Sequence, residues 1–370
     1  MGKIIVIFIK QAGFLMFTGG CLMVFEFLRA LLNKESRSGA APVNLRDDED
    51  HPQTLRSVGF DHHRFLDGCQ AVIVGDVHSN YQALKALMPV LETAAKRDML
   101  ILNTGDQVGY GADPDSVMDY FNSLRFRANY GEVLGNHDVA AMAVEPHGIR
   151  YSNGLEDIAH ELMHEEDDMG NKGKFHSSAR DAVVFNAHML SYQNLERLKS
   201  GDIPLVMPDA VMVHSNLLDP KRFFLYMNND SYLRTIWHVS KKKSWKSEEL
   251  EDRLKLNDSL VAATFMRMAE KDLRLCVVGH SHHPGVWVGD KDADYQDRSS
   301  LKPDMHNLFP KFQPFYNTGS GIRLQDSPYP QMVGRYDLDA KHMYILNPGS
   351  VGQPRDFNNA ASFGLIREES

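Results

Sequence analysis

Five short strings in this chain combine histidine, aspartate and asparagine with glycine, and their side chains could do chemistry. They are GDVHSN at 75–80, GDQVGYG at 105–111, GNHD at 135–138, VHSN at 213–216 and GHSHHP at 279–284. Carboxylate oxygens mixed with imidazole nitrogens suit Mn, Fe or Zn better than Ca, which takes oxygen ligands alone. Seven such side chains are enough for two metal sites that share one carboxylate.

Each of the five strings follows a segment that we predict to be a buried strand. In an open α/β sheet, ligands bind outside the carboxyl ends of the strands, so these loops should converge. Any one string by itself is typical of an ordinary turn with a solvated histidine. Five strings at five strand ends favour one shared site.

The elements that must position these strings follow from the spacing of hydrophobic residues. CQAVIVG, MLILNTG and ANYGEVLG are predicted strands, and two segments with apolar residues at helical spacing lie between them. This alternation predicts a parallel sheet with helices packed on it. Beyond residue 140, two helical stretches precede the strand DAVMVHS, a charged helix near 247–271 and the strand LRLCVVG.

The chain has 370 residues, which fits one large domain with an insertion better than two independent domains. We predict a polar linker over 33–68 and a folded body over 69–366, with a helical insertion at about 140–200.

The composition of the chain argues against several classes of protein. A formal net charge of -9 argues against a general nucleic-acid binder. The three cysteines lie far apart and form no CxxC pair, which argues against a disulfide framework or a zinc ribbon.

Residues 1–32 are hydrophobic and admit two interpretations. The run IIVIFI at 4–9 is followed by Lys10 and then by fifteen uncharged residues, 11–25. That is fewer than the roughly 20 residues needed to span a bilayer. One interpretation is a signal peptide or anchor, which would make the protein exported or membrane-tethered. The other is a dispensable N-terminus on a cytoplasmic protein.

The ordered set D-x-H, GD, GNHD, H and GHxH resembles the calcineurin-like metallophosphoesterase superfamily over roughly residues 70–360. GDVHSNYQAL and the string NPGSVGQPRD at 347–356 resemble its small bacterial and archaeal branch. The resemblance implies a four-layer α/β/β/α sandwich, an α/β fold. It also implies a phosphatase or phosphodiesterase in which a hydroxide between two divalent ions (Mn, Fe or Zn) attacks the phosphorus. The implied partner is a phosphorylated substrate, either a nucleotide or a phosphoprotein. The oligomeric state stays open.

The resemblance also implies roles for individual residues. The implied metal ligands are Asp76, His78 and His282 for the first ion, Asn136, His214 and His280 for the second, and Asp106 between the two. His137 would protonate the leaving group, because imidazole titrates near operating pH. Asn80 and Arg355 are candidate substrate contacts, and Arg355 is equally compatible with a structural ion pair.

The sequence departs at two places from the family's protein serine/threonine phosphatases, and these differences bear on which subfamily it resembles. Those enzymes have GDxVDRG in the second string, where the later aspartate orients the acid histidine and the arginine grips phosphate. This chain has Gly109 and Tyr110 at those places, and its third string ends in Asp138 rather than glutamate. A eukaryotic-type protein phosphatase is therefore disfavoured, and the group that orients His137 stays open.

Two alternatives belong to other functional classes. A non-catalytic scaffold or sensor would keep this fold but normally loses metal ligands, whereas every ligand position is filled here. The string HELMH at 160–164 matches the HExxH pattern of zinc proteases. Its metzincin continuation would need a glycine and a histidine where Asp167 and Gly170 stand, so an exposed amphipathic helix is favoured there.

Overall fold

A computed structural model of the chain describes residues 3–11, 66–144, 155–163, 175, 177–223, 227, 247–291, 331–355 and 360–369. The strands within these ranges are β1 (Lys3–Gln11), β2 (Cys69–Val74), β3 (Leu100–Asn103), β4 (Tyr130–Glu132), β5 (Leu205–Val206), β6 (Ala210–Met212), β7 (Leu275–Val277), β8 (Gly285–Asp290), β9 (Gln331–Leu338), β10 (His342–Asn347) and β11 (Ala361–Glu369). The helices are α1 (Tyr81–Lys96), α2 (Pro114–Arg127), α3 (Asn136–Ala143), α4 (Glu156–Met163), α5 (Ser177–Met189), α6 (Tyr192–Leu198) and α7 (Ser247–Glu270). None of the helices in the described ranges is both long and apolar enough to cross a membrane.

The strands form two mixed sheets. The first has six strands in the order β4-β3-β2-β11-β1-β9, and the second has five in the order β5-β6-β7-β10-β8. β2, β3 and β4 are parallel, as the alternation of strands and helices predicts. In the second sheet β6, β7 and β10 are parallel, and the edge strands β5 and β8 run antiparallel to their neighbours.

The inner faces of the two sheets pack against each other, and each outer face carries helices. Side chains alternate along a strand, so neighbouring residues face opposite layers. Val72 of β2 packs in a cluster with Leu84 of α1, whereas its neighbour Ile73 packs with Met212 of the second sheet. Phe265 of α7 covers the outer face of the second sheet. The predicted four-layer α/β/β/α sandwich is confirmed.

The described part of the insertion at about 140–200 consists of α4, α5 and α6, which share one apolar cluster with α3. Val139 of α3, Leu162 of α4, Val183 of α5 and Leu195 of α6 are all buried in it. Because α3 begins at the GNHD string, this cluster fixes the insertion beside the polar loops.

The first apolar run of the chain is a strand of the first sheet. β1 lies between β11 and β9 and pairs antiparallel with both. This differs from our prediction that the folded body begins at Cys69. The physical reason is that a sheet strand covered on both faces is apolar at consecutive positions, just as a membrane segment is. Residues 12–32 and most of the predicted linker lie outside the described residues.

A matched pair of substitutions in β1 measures its contribution to the core. Ile5 is 0% exposed and Ile4 is 40% exposed. We expect Ile5→Ala to lower the free energy of unfolding by about 2–5 kcal/mol, because it removes buried methyl groups and leaves a cavity. Ile4→Ala should cost about 1 kcal/mol or less. Urea denaturation of the full chain measures both, and equal small losses would show that β1 is not part of the core.

Candidate metal centre

The polar strings converge at one edge of the sandwich, where strands of both sheets end. Asp76 and Asp106 follow the parallel strands β2 and β3 of the first sheet, and His137 lies at the start of α3. His214 follows β6, and His282 follows β7, in the second sheet. The carboxyl ends of parallel strands meet at one edge of a sheet, and the two facing sheets bring both sets of loops together.

The first group of potential ligands contains Asp76, His78, Asp106 and His282, and their ligand atoms all lie within 4.8 Å of one another. His282 Nε2 lies 3.2 Å from Asp76 Oδ1 and 3.1 Å from His78 Nε2. His78 Nε2 lies 3.5 Å from Asp106 Oδ2. All four residues are buried.

The second group contains Asp106, His214 and His280, also within 4.8 Å of one another. His214 Nε2 lies 3.3 Å from Asp106 Oδ2, 3.0 Å from His280 Nδ1 and 3.0 Å from Asn136 Oδ1. Asp106 therefore belongs to both groups and lies between them. His280 is partly exposed, whereas Asn136 and His214 are buried.

Hydrogen bonds to backbone carbonyls turn two of the histidines toward the centre. His214 Nδ1 lies 2.7 Å from the Thr104 carbonyl oxygen, and His282 Nδ1 lies 2.5 Å from that of Gln353. A carbonyl only accepts, so each Nδ1 carries a proton and each Nε2 points toward the centre. This is the orientation that metal-ligating histidines adopt.

The donor set and its burial fit divalent metal ions. Among the described residues, Asp76 Oδ2 is buried with no hydrogen-bond partner, which is costly for a carboxylate unless a cation balances it. Imidazole nitrogen, carboxylate oxygen and one amide oxygen suit Mn, Fe or Zn. The chain thus has a buried Asp/His cluster that could bind metal.

The loops that carry this cluster are held in an unusual backbone conformation. Five of its residues have φ between 50° and 66°, the left-handed region: Asp76, His78, Asp106, His280 and His282. Side chains rarely adopt this region, and such residues persist where the surroundings over-determine them, most often at functional sites. Here Asp76 N donates to the Gly105 carbonyl and His78 N to the Asp106 carbonyl, both at 2.9 Å.

The NPGS string at the end of β10 forms hydrogen bonds with the ligand loops, a structural role that the sequence pattern did not predict. Asn347 Nδ2 donates to the Gly279 carbonyl at 2.7 Å and to Ser281 Oγ at 3.0 Å. The Ser350 hydroxyl donates to the Asp76 carbonyl at 2.8 Å. The NPGS string at 347–350 was visible as a resemblance, but only the folded chain shows that it fixes these loops.

His137 lies beside the cluster and is oriented by packing. Its backbone N donates to Asp106 Oδ1 at 2.8 Å. Its ring lies 4.6 Å from that of His78, and 4.7 Å from those of Tyr110 and Phe175. Among the described residues, its buried Nδ1 has no hydrogen-bond partner. Three rings therefore set the position of His137.

Asp138 holds neighbouring loops together. Its two carboxylate oxygens accept from Val108 N and Gly135 N, each at 3.0 Å. The carboxylate thus links the GDQVGYG loop to the GNHD loop. Burial raises the pKa of Asp138 to about 7.

The two candidate substrate contacts differ in how their side chains are used. Asn80 Oδ1 accepts from Ala83 N at 3.0 Å, and Nδ2 donates to the Gly352 carbonyl at 2.9 Å. Both ends of the Asn80 amide thus take part in the fold, as the N-cap of α1 and as a link to the loop after β10, and its contact with substrate stays a prediction. Arg355 is partly buried, and its described contact is to the amide oxygen of Gln353 at 3.1 Å rather than to a carboxylate.

The charges of the cluster suit cation binding. Burial lowers the pKa of three histidines well below the usual value: His78, His280 and His282. For Asp106, burial opposes ionisation, but the histidines around it, His214 first, hold its pKa well below the usual range. Burial opposes the charge of His214 too, yet Asp106 raises its pKa to about 9, so His214 must release a proton before its Nε2 can bind a metal ion. Neutral histidines and an ionised carboxylate are the forms that bind metal.

The HExxH string lies apart from this cluster in its described part. His160 and Glu161 are exposed on α4, and His164 lies outside the described residues. The described residues therefore place one of its two histidines on the surface of the insertion.

Two facing sheets with a buried Asp/His cluster at their shared edge define a protein of the metallophosphoesterase class. The family model for calcineurin-like phosphoesterases matches residues 70–284, more than half of the chain, and the chain belongs to this family. The resemblance inferred from the five strings is confirmed.

Curated relatives and a solved structure are similar to this chain. An uncharacterised protein of Methanocaldococcus jannaschii is 24% identical over 80% of this chain and 82% of its own length. A symmetrical bis(5'-nucleosyl)-tetraphosphatase of Edwardsiella ictaluri is 40% identical over 73 residues, which cover 20% of this chain and 25% of that enzyme. The crystal structure of a metallophosphoesterase from Sphaerobacter thermophilus is 21% identical with a TM-score of 0.43, over 82% of this chain and 89% of that one.

Proposed function

We propose that this chain is a hydrolase that cleaves a phosphomonoester or phosphodiester with the help of two divalent metal ions. The observation that supports the proposal is the position of Asp106. Its carboxylate lies 3.5 Å from His78 Nε2 on one side and 3.3 Å from His214 Nε2 on the other. A carboxylate between two groups of nitrogen and oxygen donors is the arrangement that a two-metal site requires.

Each ion would take its ligands from both sheets. The ligands would be Asp76, His78 and His282 for one ion, Asn136, His214 and His280 for the other, and Asp106 for both. Two neighbouring metal cations lower the pKa of an attacking water and neutralise charge on the phosphoryl oxygens. The donor set admits Mn, Fe or Zn.

His137 would protonate the leaving oxygen. Burial lowers the pKa of His137 to about 4 in the free protein. An anionic phosphoester beside the ring would favour the imidazolium, because a neighbouring negative charge raises the pKa of a histidine. Arg355 would add positive charge for substrate, since its guanidinium lies near enough to lower the pKa of both His137 and His282.

The substrate would be a phosphorylated small molecule such as a nucleotide. Gly109 and Tyr110 stand where the protein phosphatases have a charged pair, which disfavours a phosphoprotein substrate. The short match to a bis(5'-nucleosyl)-tetraphosphatase makes a dinucleoside tetraphosphate one substrate to test.

Metal removal tests the proposed function. We expect chelation to abolish hydrolysis of 4-nitrophenyl phosphate or bis(4-nitrophenyl) phosphate, and Mn, Fe or Zn to restore it, because the cations would activate the attacking water and neutralise the phosphoryl oxygens. A panel with mononucleotides and a dinucleoside tetraphosphate then ranks substrates. Thermal unfolding of the chelated protein shows whether the fold survives. Hydrolysis that is indifferent to chelation would contradict the proposal.

A further inference from the structure

The insertion helix α5 carries a buried asparagine, Asn186, whose carboxamide forms hydrogen bonds with the backbone of the loop after β3. Its Oδ1 accepts from Gly109 N at 3.0 Å and from the Ser79 hydroxyl. Its Nδ2 donates to the carbonyl oxygens of Gly109 at 2.5 Å and Gly111 at 3.1 Å. We refer to residues 109–111 as the glycine turn. One fully buried side chain therefore holds both the N–H and the carbonyl groups of this turn.

The glycine turn lies directly against two histidine rings of the candidate centre. Gly109 has φ +150°, and a Cβ placed on it would lie 2.1 Å from His78 Nδ1 and 3.1 Å from His137 Nδ1. The backbone of the turn thus occupies the space beside both rings. Tyr110, in the middle of the turn, places its ring 4.7 Å from that of His137 and 5.0 Å from that of His78.

His137 depends on this turn for its position. Its Nδ1 has no hydrogen-bond partner among the described residues, so packing alone holds the ring. Tyr110 forms one wall of the space around the ring and Phe175 another. Movement of the glycine turn would displace the Tyr110 ring, and the His137 ring could then rotate.

A carboxamide supplies both kinds of hydrogen bond that the turn needs, an acceptor oxygen and two N–H donors. Asn186 accepts from one backbone N–H of the turn, and its two N–H groups are shared among the carbonyls of Gly109, Gly111 and, on its own helix, Ala182 at 2.9 Å. An aspartate would keep the acceptor and lose the donor, and an alanine would lose both.

We propose that Asn186 is a positioning residue for the hydrolysis, an inference that rests on the proposed function. It fixes the glycine turn and, through the turn, the ring of His137 that protonates the leaving oxygen. The described hydrogen bonds of the Asn186 side chain go to Ser79, the glycine turn and Ala182, and none goes to a donor atom of a candidate metal ligand.

The test compares esters that differ in their need for an acid. Phenolate is a poor leaving group that needs protonation, whereas 4-nitrophenolate leaves without it. For Asn186→Ala and Asn186→Asp we expect kcat on phenyl phosphate to fall about 10- to 100-fold, because a misplaced catalytic group costs rates of this order. We expect kcat on 4-nitrophenyl phosphate to fall less than about threefold, with KM for both esters unchanged within about twofold.

Asn194 provides a matched control in the same insertion. It is also a buried asparagine, and its amide donates to Asp115 and Asp119 of α2, both at 2.8 Å, rather than to the glycine turn. Asn194→Ala should leave the ratio of the two rates unchanged. Hydrogen–deuterium exchange over 107–111 should accelerate in the Asn186 variants and not in Asn194→Ala, while all variants keep wild-type metal content.

The outcomes separate the two proposals. Equal losses on both esters, unchanged exchange over 107–111, or reduced metal content in the Asn186 variants would overturn the positioning role. Asn186→Asp keeps the size of the side chain and the two hydrogen bonds that Oδ1 accepts, so it provides the test where Asn186→Ala is too unstable. A metal-loaded wild type that hydrolyses neither of these monoesters and does not hydrolyse bis(4-nitrophenyl) phosphate would instead refute the proposed function, and the positioning role with it.

Discussion

Asp106→Asn should reduce phosphoester hydrolysis at least about a thousandfold, which corresponds to about 4 kcal/mol of transition-state stabilisation. The substitution keeps the size of the side chain and removes the negative charge that lies between His78 and His214. Without that charge, two neighbouring cations lose their shared ligand and repel each other. The bound metal should therefore fall together with the rate, measured on the purified protein by elemental analysis and by hydrolysis of 4-nitrophenyl phosphate.

The matched control for this variant is Asp119→Asn on α2. The Asp119 carboxylate accepts a hydrogen bond from Asn194 at 2.8 Å and takes no part in the Asp/His cluster. We expect wild-type activity and metal content from Asp119→Asn. Full activity in Asp106→Asn would refute the shared-ligand role of Asp106.

His137→Gln should reduce kcat on phenyl phosphate about 10²- to 10⁴-fold while leaving the bound metal unchanged. The backbone N of His137 donates to Asp106, and its ring lies among the rings of His78, Tyr110 and Phe175, where we propose that it protonates the leaving oxygen. Loss of a proton donor slows the chemical step and leaves the ligands in place. Steady-state kinetics together with metal analysis check both halves of this expectation.

Metal content distinguishes an acid from a ligand at this position. If His137→Gln loses metal as Asp106→Asn should, His137 is a ligand and the acid lies elsewhere. His160→Gln on the exposed face of α4 is the control, and it should change neither rate nor metal content. Peptide cleavage that depends on His160 would support the zinc-protease alternative instead.

Much of the candidate site could be predicted from the sequence because its residues cluster in short strings at strand ends. Asp76 and Asp106 each follow an apolar strand within a few residues, and parallel strands bring such positions together. The parallel arrangement of β2, β3 and β4 followed from the alternation of strands and helices, whereas the four-layer order was implied by the family resemblance. Local sequence patterns were sufficient to predict those site residues that lie directly after a predicted strand.

The rest depends on contacts between distant parts of the chain. The run at 4–9 is apolar whether it crosses a membrane or lies inside a sheet, and only its pairing with β9 and β11 separates the two. Asn186 is one polar residue on an amphipathic helix, and its partner Gly109 lies 77 positions earlier. The role of Asn80 as the N-cap of α1 likewise shows only in the folded chain, where its Oδ1 accepts from Ala83 N.

The most direct test of the central claim is a crystal structure of the Mn-loaded protein with anomalous diffraction data. We expect two anomalous peaks about 3.5–4 Å apart, the separation typical of two-metal sites, on either side of the Asp106 carboxylate. One peak should lie against His78 and His282, and the other against His214 and His280. A single peak, or peaks away from Asp106, would contradict the two-metal account.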